Sequence, residues 1–301
     1  MPFSTDAELT AVVAEISRLD PTGSLTAQVL RGTLDQLYDG QRTRRYRWDQ
    51  LHKTEKTHCG TLVEINLHRG FGFEDGDKLD YRIAGVDVDC KYSQKNGAWM
   101  IPPEAEGELC LVVWAEDAVS EWSMGLVRIT SDRLSVGTNR DRKAQLNPKG
   151  RGAITWLFDH AALPPNVLLQ LDRAVVDKIM ALDSGQQRVN ELFRSALGLI
   201  VGRAVVATVA QQDDYMKRVR ANGGARSTLR PEGILVLGQY ESHRSVARQL
   251  GVQPPGPGET VSVRVAPAST PGPAVALIAN RLWKIATPTD SVVAAPELPS
   301  V

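Results

Sequence analysis

The stretch LDYRIAGVDVDCKYS, residues 79–93, constrains the fold more than any other part of the sequence. Polar and apolar residues alternate on both sides of Gly85, and a period of two is typical of half-buried strands. The pattern therefore predicts two strands, Leu79–Ala84 and Val86–Tyr92, joined by a turn near Gly85. A chain with this hairpin has to bury one face of it, which favours a domain with a sheet.

Acidic and basic residues share one face of this predicted hairpin. Asp89 and Lys91 point the same way because strand side chains alternate in direction, and the turn brings Asp80 close to Asp89. An aspartate one strand upstream of Asp-x-Lys matches the spacing of the PD-(D/E)xK nuclease site. Converging carboxylates repel each other unless a cation lies between them, and oxygen ligands suit Mg²⁺. We therefore expect Asp80 and Asp89 to bind Mg²⁺, with Lys91 stabilising charge on a scissile phosphate.

A third acidic candidate lies on the helix predicted over His58–Leu67. Glu64 would support the metal directly or through a ligand, and we count it with Asp80 and Asp89 as a metal residue. On spacing alone, an ordinary charged strand remains the alternative, since alternating acids and bases are common at exposed sheet edges. The fold class expected from these elements is α/β or α+β.

A further helix is predicted over residues 26–40 from apolar residues at helical spacing, with Gly40 as its C-cap glycine. Its end overlaps QLYDGQR, which matches the Lys-x-Asp-Gly-x-Arg motif of nucleotidyl-transferring ligases at Asp39, Gly40 and Arg42. Leu37 stands where that motif has its lysine. An aliphatic side chain cannot take up adenylate, which counts against a nick-joining enzyme or topoisomerase. Leu37 is equally well explained as a core residue of the helix.

Charge is distributed unevenly along a neutral chain. Lys plus Arg and Asp plus Glu each number 35. Residues 186–230 hold eight basic residues against three acidic ones, and residues 42–47, RTRRYR, hold four arginines and no acid. Such patches are candidate contacts for a polyanion, with solvated surface as the alternative.

Cysteine usage and hydropathy indicate the compartment. The three cysteines have no metal-binding spacing, and their odd number argues against a disulfide framework. The sequence shows no secretory signal and no apolar run long enough to span a bilayer. We expect a cytoplasmic protein with no membrane partner.

The pattern of elements restarts near residues 155–166, where LPPNVLLQL holds two prolines. Beyond it, QQRVNELFRSALGLI and GRAVVATVAQQ indicate helices, DDYMKRVR a basic helix and GILVLGQY a strand. The expected division is a catalytic domain over residues 1–158, a linker over 159–165, a DNA-binding domain over 166–290 and a flexible tail over 291–301.

Long blocks of the chain resemble the NaeI-type, or Type IIE, restriction endonucleases. They include TLDQLYDGQR, WDQLHKTEKTHCGTLVEINLHR and DYRIAGVDVDCKYS in the first half. The second half contributes RVNELFR and VGRAVVATVAQQDDYMKRVRANGGARSTLRPEGILVLG. The resemblance runs from about residue 15 to 285 and weakens in the N-terminal segment, at 131–185 and in the Pro-rich C-terminal part.

The resemblance implies a fold and an activity. It implies a PD-(D/E)xK core with a mixed sheet, followed by a winged helix-turn-helix domain of the catabolite-activator kind. The activity implied is Mg²⁺-dependent cleavage of double-stranded DNA by a homodimer, activated by a second, effector DNA site. The carried-over active-site residues are Glu64, Asp80, Asp89 and Lys91. The recognition sequence implied is a GC-rich palindrome such as GCCGGC, in a restriction-modification system with a cognate DNA methyltransferase.

Eight basic residues are candidates for DNA contacts, four in the loop after residue 41 and four on or beyond the presumed recognition helix. They are Arg42, Arg44, Arg45, Arg47, Lys217, Arg218, Arg220 and Arg226. The competing interpretation of the whole chain is a helix-turn-helix transcription regulator without catalysis. The cluster Asp80, Asp89 and Lys91 separates the two, because a regulator has no need of it.

Overall fold

The structure is a computed structural model that describes residues 6–135 and 143–298. The chain divides into two compact units, each with its own sheet. The first unit comprises Met1–Leu37 and Arg47–Pro164. The second comprises Tyr38–Tyr46 and Pro165–Val301, so a short segment from the N-terminal half of the sequence belongs to the C-terminal unit.

The first unit holds four helices and six strands among its described residues. In chain order they are α1 (Ala7–Leu19), α2 (Ser24–Tyr38, whose last residue is assigned to the second unit), α4 (Lys53–Phe71), β1 (Glu74–Asp75), β2 (Tyr81–Ile83), β3 (Val86–Ser93), β4 (Leu109–Glu116), β5 (Glu121–Arg128), α5 (Pro148–Gly152) and β6 (Thr155–Ala162).

The six strands form one mixed sheet in the order β1-β2-β3-β4-β5-β6. Strands β3 and β4 are parallel, and every other neighbouring pair is antiparallel. Seven consecutive residues of β4, Leu109–Ala115, are buried. A continuous buried apolar run is typical of a strand covered on both faces, so β4 anchors the sheet.

The predicted hairpin is confirmed and supplies β2 and β3. Its two-residue turn holds Ala84 at φ 51° and Gly85 at φ 78°, the positive-φ pair that matches the twist of antiparallel strands. Tyr81 pairs with Val88 and Ile83 with Val86. The structure continues this sheet through β6, where the sequence indicated only a restart of the pattern. No residue of β6 is fully buried, which leaves its hydrophobic signal weak.

The second unit is built from seven helices and five strands among its described residues. They are α3 (Gly40–Thr43), α6 (Val167–Gln170), α7 (Arg173–Ala181), α8 (Gly185–Ser195), β7 (Ile200–Gly202), α9 (Arg203–Ala210), α10 (Ala225–Thr228), β8 (Ile234–Gly238), α11 (Glu241–Gln249), β9 (Glu259–Pro267), β10 (Val275–Ile278) and β11 (Arg281–Ile285).

Strand β9 organises the second sheet, because β7, β8 and β11 all pair with it antiparallel. Helices α8 and α9 pack on one hydrophobic cluster that includes Val189, Leu192 and Val206. Arg188 of α8 is buried, and its guanidinium donates to the carbonyl oxygens of Val209 and Ala210. Arg188 therefore caps the C-terminus of α9 and is not a surface charge.

The expected α-helix over Asp213–Arg220 is wrong. Gln211 ends α9 in the left-handed region at φ 56°, and only a 3₁₀ turn, Tyr215–Val219, follows. The pair Gly223-Gly224 comes soon after, leaving too few residues for a stable α-helix. With α10 only four residues long, the structure supports a mixed α/β fold with two sheets.

The end of α2 also differs from the prediction. Asp39, at φ 44°, takes the left-handed position, and Gly40 instead begins α3. Leu37 is buried, as expected for a core residue. The hydrogen-bonding partners of residues 38–46 include the carbonyl oxygen of Gln212, which accepts from Gln41 Nε2 at 3.3 Å, and Asn166, which donates to the Tyr46 carbonyl oxygen at 2.8 Å.

The described part of the C-terminal segment is packed. The Ala295 N–H donates to the Arg230 carbonyl oxygen at 2.8 Å, and Ala295 is buried. Glu297 forms an ion pair with Arg230 at 2.6 Å. These contacts involve residues within 291–298, and residues 299–301 lie outside the described residues, so the flexible tail expected over 291–301 stays a prediction. The polar and Pro-rich composition of the segment hid these contacts.

No helix in the described ranges is long and apolar enough to cross a membrane.

Gly40 gives a test of the packing in the second unit. A Cβ on Gly40 would collide with the Thr208 side chain and lie 2.7 Å from the Arg45 carbonyl oxygen. Gly40→Ala should therefore lower the free energy of unfolding by about 1–3 kcal/mol through overpacking. Gly32→Ala in α2 is the control, because nothing lies within 4 Å of its Cβ. It should raise stability by about 0.5–1 kcal/mol. Urea unfolding measures both, and equal effects would contradict the packing.

Candidate active site

Asp80 is placed by the register of the hairpin. Tyr81 pairs with Val88, so Asp80, one residue earlier, comes opposite Asp89. Its Oδ2 accepts a hydrogen bond from the Cys90 backbone N–H at 2.7 Å. The strand that carries Asp89 and Lys91 thus holds the Asp80 carboxylate directly through its own backbone.

Lys91 joins the two carboxylates. Its Nζ lies 2.5 Å from Asp89 Oδ1 and 3.5 Å from Asp80 Oδ2. It also donates to the Cys90 carbonyl oxygen at 2.9 Å. Three oxygens therefore surround one cationic atom, at the place where the sequence predicted a metal between carboxylates.

The cluster is partly shielded from water. Asp89 is only 4% exposed, and this burial raises the pKa of its carboxyl to about 6, although Lys91 acts in the opposite direction. Burial alone would lower the Lys91 pKa, but the Asp89 and Asp80 carboxylates outweigh it and hold that pKa above its ordinary value. The ammonium is therefore charged at neutral pH, and Asp89 is mostly ionised there.

Glu64 lies on α4, and its side chain is less closely involved. Its backbone carbonyl oxygen accepts from the Tyr81 hydroxyl at 2.8 Å, which joins α4 to β2. Burial, followed by the negative charge of Asp80, raises the pKa of the Glu64 carboxyl.

The cluster has a chemistry that suits a small hard cation. Carboxylate and carbonyl oxygens are the ligands that Mg²⁺ prefers, and Asp80, Asp89 and the Cys90 carbonyl supply three of them around Lys91 Nζ. Within the described ranges, no group of three His, Cys, Asp or Glu side chains is arranged to bind a metal. A cation would therefore depend on two side chains and a backbone oxygen, with Lys91 moving aside.

Two contributions were missed by reasoning from the sequence. The Cys90 backbone contacts both Asp80 and Lys91, yet a backbone group leaves no residue signature. Cys110 of β4 is buried, and its Sγ lies 3.7 Å from Asp89 Oδ2. Only the parallel pairing of Asp89 with Cys110 reveals this contact.

The Asp87 carboxylate has different hydrogen-bonding partners from Asp89 on the same strand, β3. Its carboxylate accepts from the backbone N–H groups of Asp77 and Lys78 at 3.1 and 2.9 Å, and these bonds lower the pKa of the Asp87 carboxyl. Asp87 therefore fixes the loop that leads into Asp80 and stays out of the cluster around Lys91.

Comparison with known proteins identifies the family. The family model described as restriction endonuclease NaeI matches residues 10–294. The Type II restriction enzyme NaeI of Lentzea aerocolonigenes is 53% identical to this chain over 302 aligned residues, covering 98% of this chain and 95% of that protein. The chain belongs to the NaeI restriction endonuclease family.

Membership in the NaeI family confirms the enzyme class expected from the sequence. The chain is a Type II site-specific deoxyribonuclease that acts on double-stranded DNA. A transcription regulator without catalysis is accordingly not favoured.

The basic residues predicted to contact DNA in this NaeI relative differ in their local partners. Arg42 is exposed beside Asp39, and Arg44 Nε donates to Gln211 Oε1 at 2.6 Å. Lys217 and Arg218 both pair with Asp214, at 3.5 and 2.8 Å.

The remaining candidates also have distinct surroundings. Arg45 is half-buried, and Arg47 pairs with Asp49 at 2.9 Å. Arg220 is exposed, and Arg226 Nε donates to the Val236 carbonyl oxygen at 2.9 Å. Their contacts with DNA remain a prediction.

The ligase-like motif is divided between the units. Leu37 belongs to the first unit, whereas Asp39, Gly40 and Arg42 belong to the second. Leu37 is buried and Gly40 packs on Thr208. Both glycine and leucine therefore have structural reasons for their positions that require no nucleotide chemistry.

Lys91 gives a test of the electrostatics. Lys91→Met should lower the free energy of unfolding in EDTA at pH 8 by about 1–3 kcal/mol, because it leaves two shielded carboxylates without their cation. The Asp89 pKa, already about 6, rises further in this variant. A carboxyl with a raised folded-state pKa destabilises the fold as pH rises through that pKa. The loss should therefore shrink at pH 5.

Lys149→Met is the matched control, since the Lys149 side chain is 68% exposed in its pair with Asp132. An exposed pair contributes less than about 1 kcal/mol. Urea titrations at both pH values measure the difference. A Lys91 effect as small as that of Lys149, or one that grows on acidification, would contradict the proposed role of the ammonium.

Proposed function

We propose that the chain hydrolyses DNA phosphodiester bonds at the cluster of Asp80, Asp89 and Lys91 and that it uses Mg²⁺. The main observation in support is that three oxygens converge on one cationic atom, Lys91 Nζ. They are Asp80 Oδ2, Asp89 Oδ1 and the Cys90 carbonyl oxygen. Such an arrangement of hard oxygens fits Mg²⁺. The first unit would then be the catalytic domain, with a core of the PD-(D/E)xK kind.

Each residue has a role in this proposal. Asp80 and Asp89 would hold the metal, with Glu64 as a direct or water-mediated supporter. Bound Mg²⁺ supplies a Lewis acid that polarises the phosphate and lowers the pKa of water. Lys91, released from its carboxylates, would orient the attacking water and stabilise negative charge on the phosphate oxygens. Cys110, on the neighbouring strand β4, would help to keep Asp89 Oδ2 in place through its Sγ contact.

The specificity and assembly follow from the family resemblance. We propose a GC-rich palindrome such as GCCGGC as the recognition site, cleavage by a homodimer and a cognate DNA methyltransferase that protects the host. The second unit would be the effector-DNA domain. The helix-turn-helix within it stays a proposal, with α8 and α9 as its best-formed consecutive helices.

The cleavage assignment is tested by two isosteric substitutions on one strand. Asp89→Asn should abolish cleavage of a plasmid in Mg²⁺ and leave DNA affinity in Ca²⁺ nearly unchanged, because a neutral amide is a poor metal ligand. Asp87→Asn is the control: its carboxylate holds the Asp77–Lys78 backbone and does not contact Lys91. It should retain cleavage within about tenfold, a barrier change of about 1.4 kcal/mol.

EDTA should stop the wild-type reaction, and added Mg²⁺ should restore it. Cleavage by the Asp89→Asn protein at the wild-type rate would overturn the assignment. So would a loss that is equal in both variants, since that would indicate a structural role for the whole strand.

Effector activation is tested by comparing the cleavage rates of plasmids that carry one or two recognition sites. If the second unit binds a second DNA segment, a plasmid with two recognition sites should be cut faster than one with a single site. A coupling of about 1–3 kcal/mol corresponds to roughly 5–150-fold. A short uncleavable duplex that contains the site should accelerate the single-site plasmid, and a scrambled duplex should not. Equal rates without any response to the duplex would rule out an effector site.

A further inference from the structure

A small cavity in the second unit is lined by three arginines. It has a volume of about 190 Å³, and its wall includes Arg203, Arg220 and Arg226 together with Tyr240 and Glu259. Three separate segments converge there: the start of α9, the residue after the 3₁₀ turn and the short helix α10. Arg220 and Arg226 are among the DNA contacts predicted from the sequence, whereas Arg203 is not.

These guanidinium groups differ from most arginines of the unit. Arg194, Arg218 and Arg230 each form an ion pair, with Glu232, Asp214 and Glu297 respectively. For Arg203, Arg220 and Arg226, the described residues provide no ion pair. Their positive charge is therefore available to a ligand in the cavity.

Arg226 is the most constrained of the three. Its Nε donates to the Val236 carbonyl oxygen at 2.9 Å, which fixes the side chain. No carboxylate in residues 6–135 or 143–298 forms an ion pair with it. A Cβ on Gly238 would lie 2.5 Å from Arg226 Nη2, so Gly238 provides the space for the guanidinium. Burial of Arg226 lowers its pKa, as expected for a shielded cation without a counter-ion. Holding such a charge costs free energy unless an anion approaches it.

The acidic residue of the cavity does not neutralise this charge. Glu259 Oε2 accepts from the Gly256 backbone N–H at 2.8 Å and so holds the loop before β9. Three cations against one carboxylate leave the wall net positive. The volume is below the roughly 300–1,000 Å³ of pockets for drug-sized ligands, which favours a compact anion or a small charged group.

We propose that Arg203, Arg220 and Arg226 form a binding site for a single phosphate group. Guanidinium groups pair with phosphate oxygens through two parallel hydrogen bonds, and three guanidiniums around one cavity match a tetrahedral oxyanion. The phosphate would be either a free ion or part of a DNA backbone. This site is separate from the metal cluster and does not depend on the proposed cleavage mechanism.

The test uses the full-length protein and a pair of double variants. Arg203→Ala with Arg220→Ala removes two exposed arginines of the cavity. Arg173→Ala with Arg244→Ala removes two positive charges of the same unit that do not line the cavity. Both combinations change the net charge equally, so a difference between them reports the site itself.

The first arm measures thermal unfolding in inorganic phosphate against chloride at equal ionic strength. A free-phosphate site predicts a wild-type Tm that rises with the logarithm of phosphate concentration. The cavity variant should lose this rise and the control variant should keep it.

The second arm measures DNA affinity in Ca²⁺ across salt concentrations. Contact with one backbone phosphate predicts that the slope of log K against log salt falls by about 0.9 in the cavity variant only. A positive result in the first arm supports a site for free phosphate. A positive result in the second arm supports a site for a DNA backbone phosphate. The proposal is overturned if the cavity variant matches the control in both arms. Because Mg²⁺ cleavage plays no part in either readout, failure here leaves the cleavage assignment untouched.

Discussion

The ion cluster of Lys91 with Asp80 and Asp89 is the interaction on which the candidate active site depends. A carboxylate that is 4% exposed would be costly to ionise alone, and the ammonium offsets part of that cost. The cluster forms because β3 places Asp89 and Lys91 on one face of the sheet. The Cys90 backbone N–H of the same strand holds the Asp80 carboxylate beside them. The hairpin register therefore determines both the burial of Asp89 and its pairing with Lys91. A one-residue shift of β3 would turn both side chains to the opposite face of the sheet.

The same constraint relates stability to catalysis. Lys91 neutralises the carboxylates in the protein by itself, and the same carboxylates would have to release it for a metal to bind. If Mg²⁺ binds at the proposed site, the two cations would compete for one set of oxygens, so part of the metal-binding free energy would go into separating Lys91 from Asp89. In the proposed mechanism, release would also make a charged group available beside the scissile phosphate. The ion pair would keep the site assembled before the cation and the substrate bind.

The sequence predicted the parts of the fold in which local signals agree. The hairpin was predictable because alternation, the Ala84-Gly85 turn and the charged face all indicate the same register. The parallel pairing of β3 with β4 was not, since no local pattern encodes which strand lies beside Asp89, and the Cys110 contact was lost with it. Most of the second sheet was missed for the same reason, because β7 and β10 are short and depend on β9 and β11 for their hydrogen bonds.

Arginines show most clearly why composition alone could not locate the binding surfaces. Residues 186–230 carry a local excess of five positive charges, yet Arg188 is buried on carbonyl oxygens and Arg194 pairs with Glu232. The number of charges available to a polyanion is thus set by tertiary partners that lie far away in sequence. Arg203 illustrates the converse: it stands alone in an apolar stretch, and only the fold brings it to the cavity with Arg226. In this segment, the cations available to a polyanion are therefore the ones that the fold leaves without an acidic neighbour.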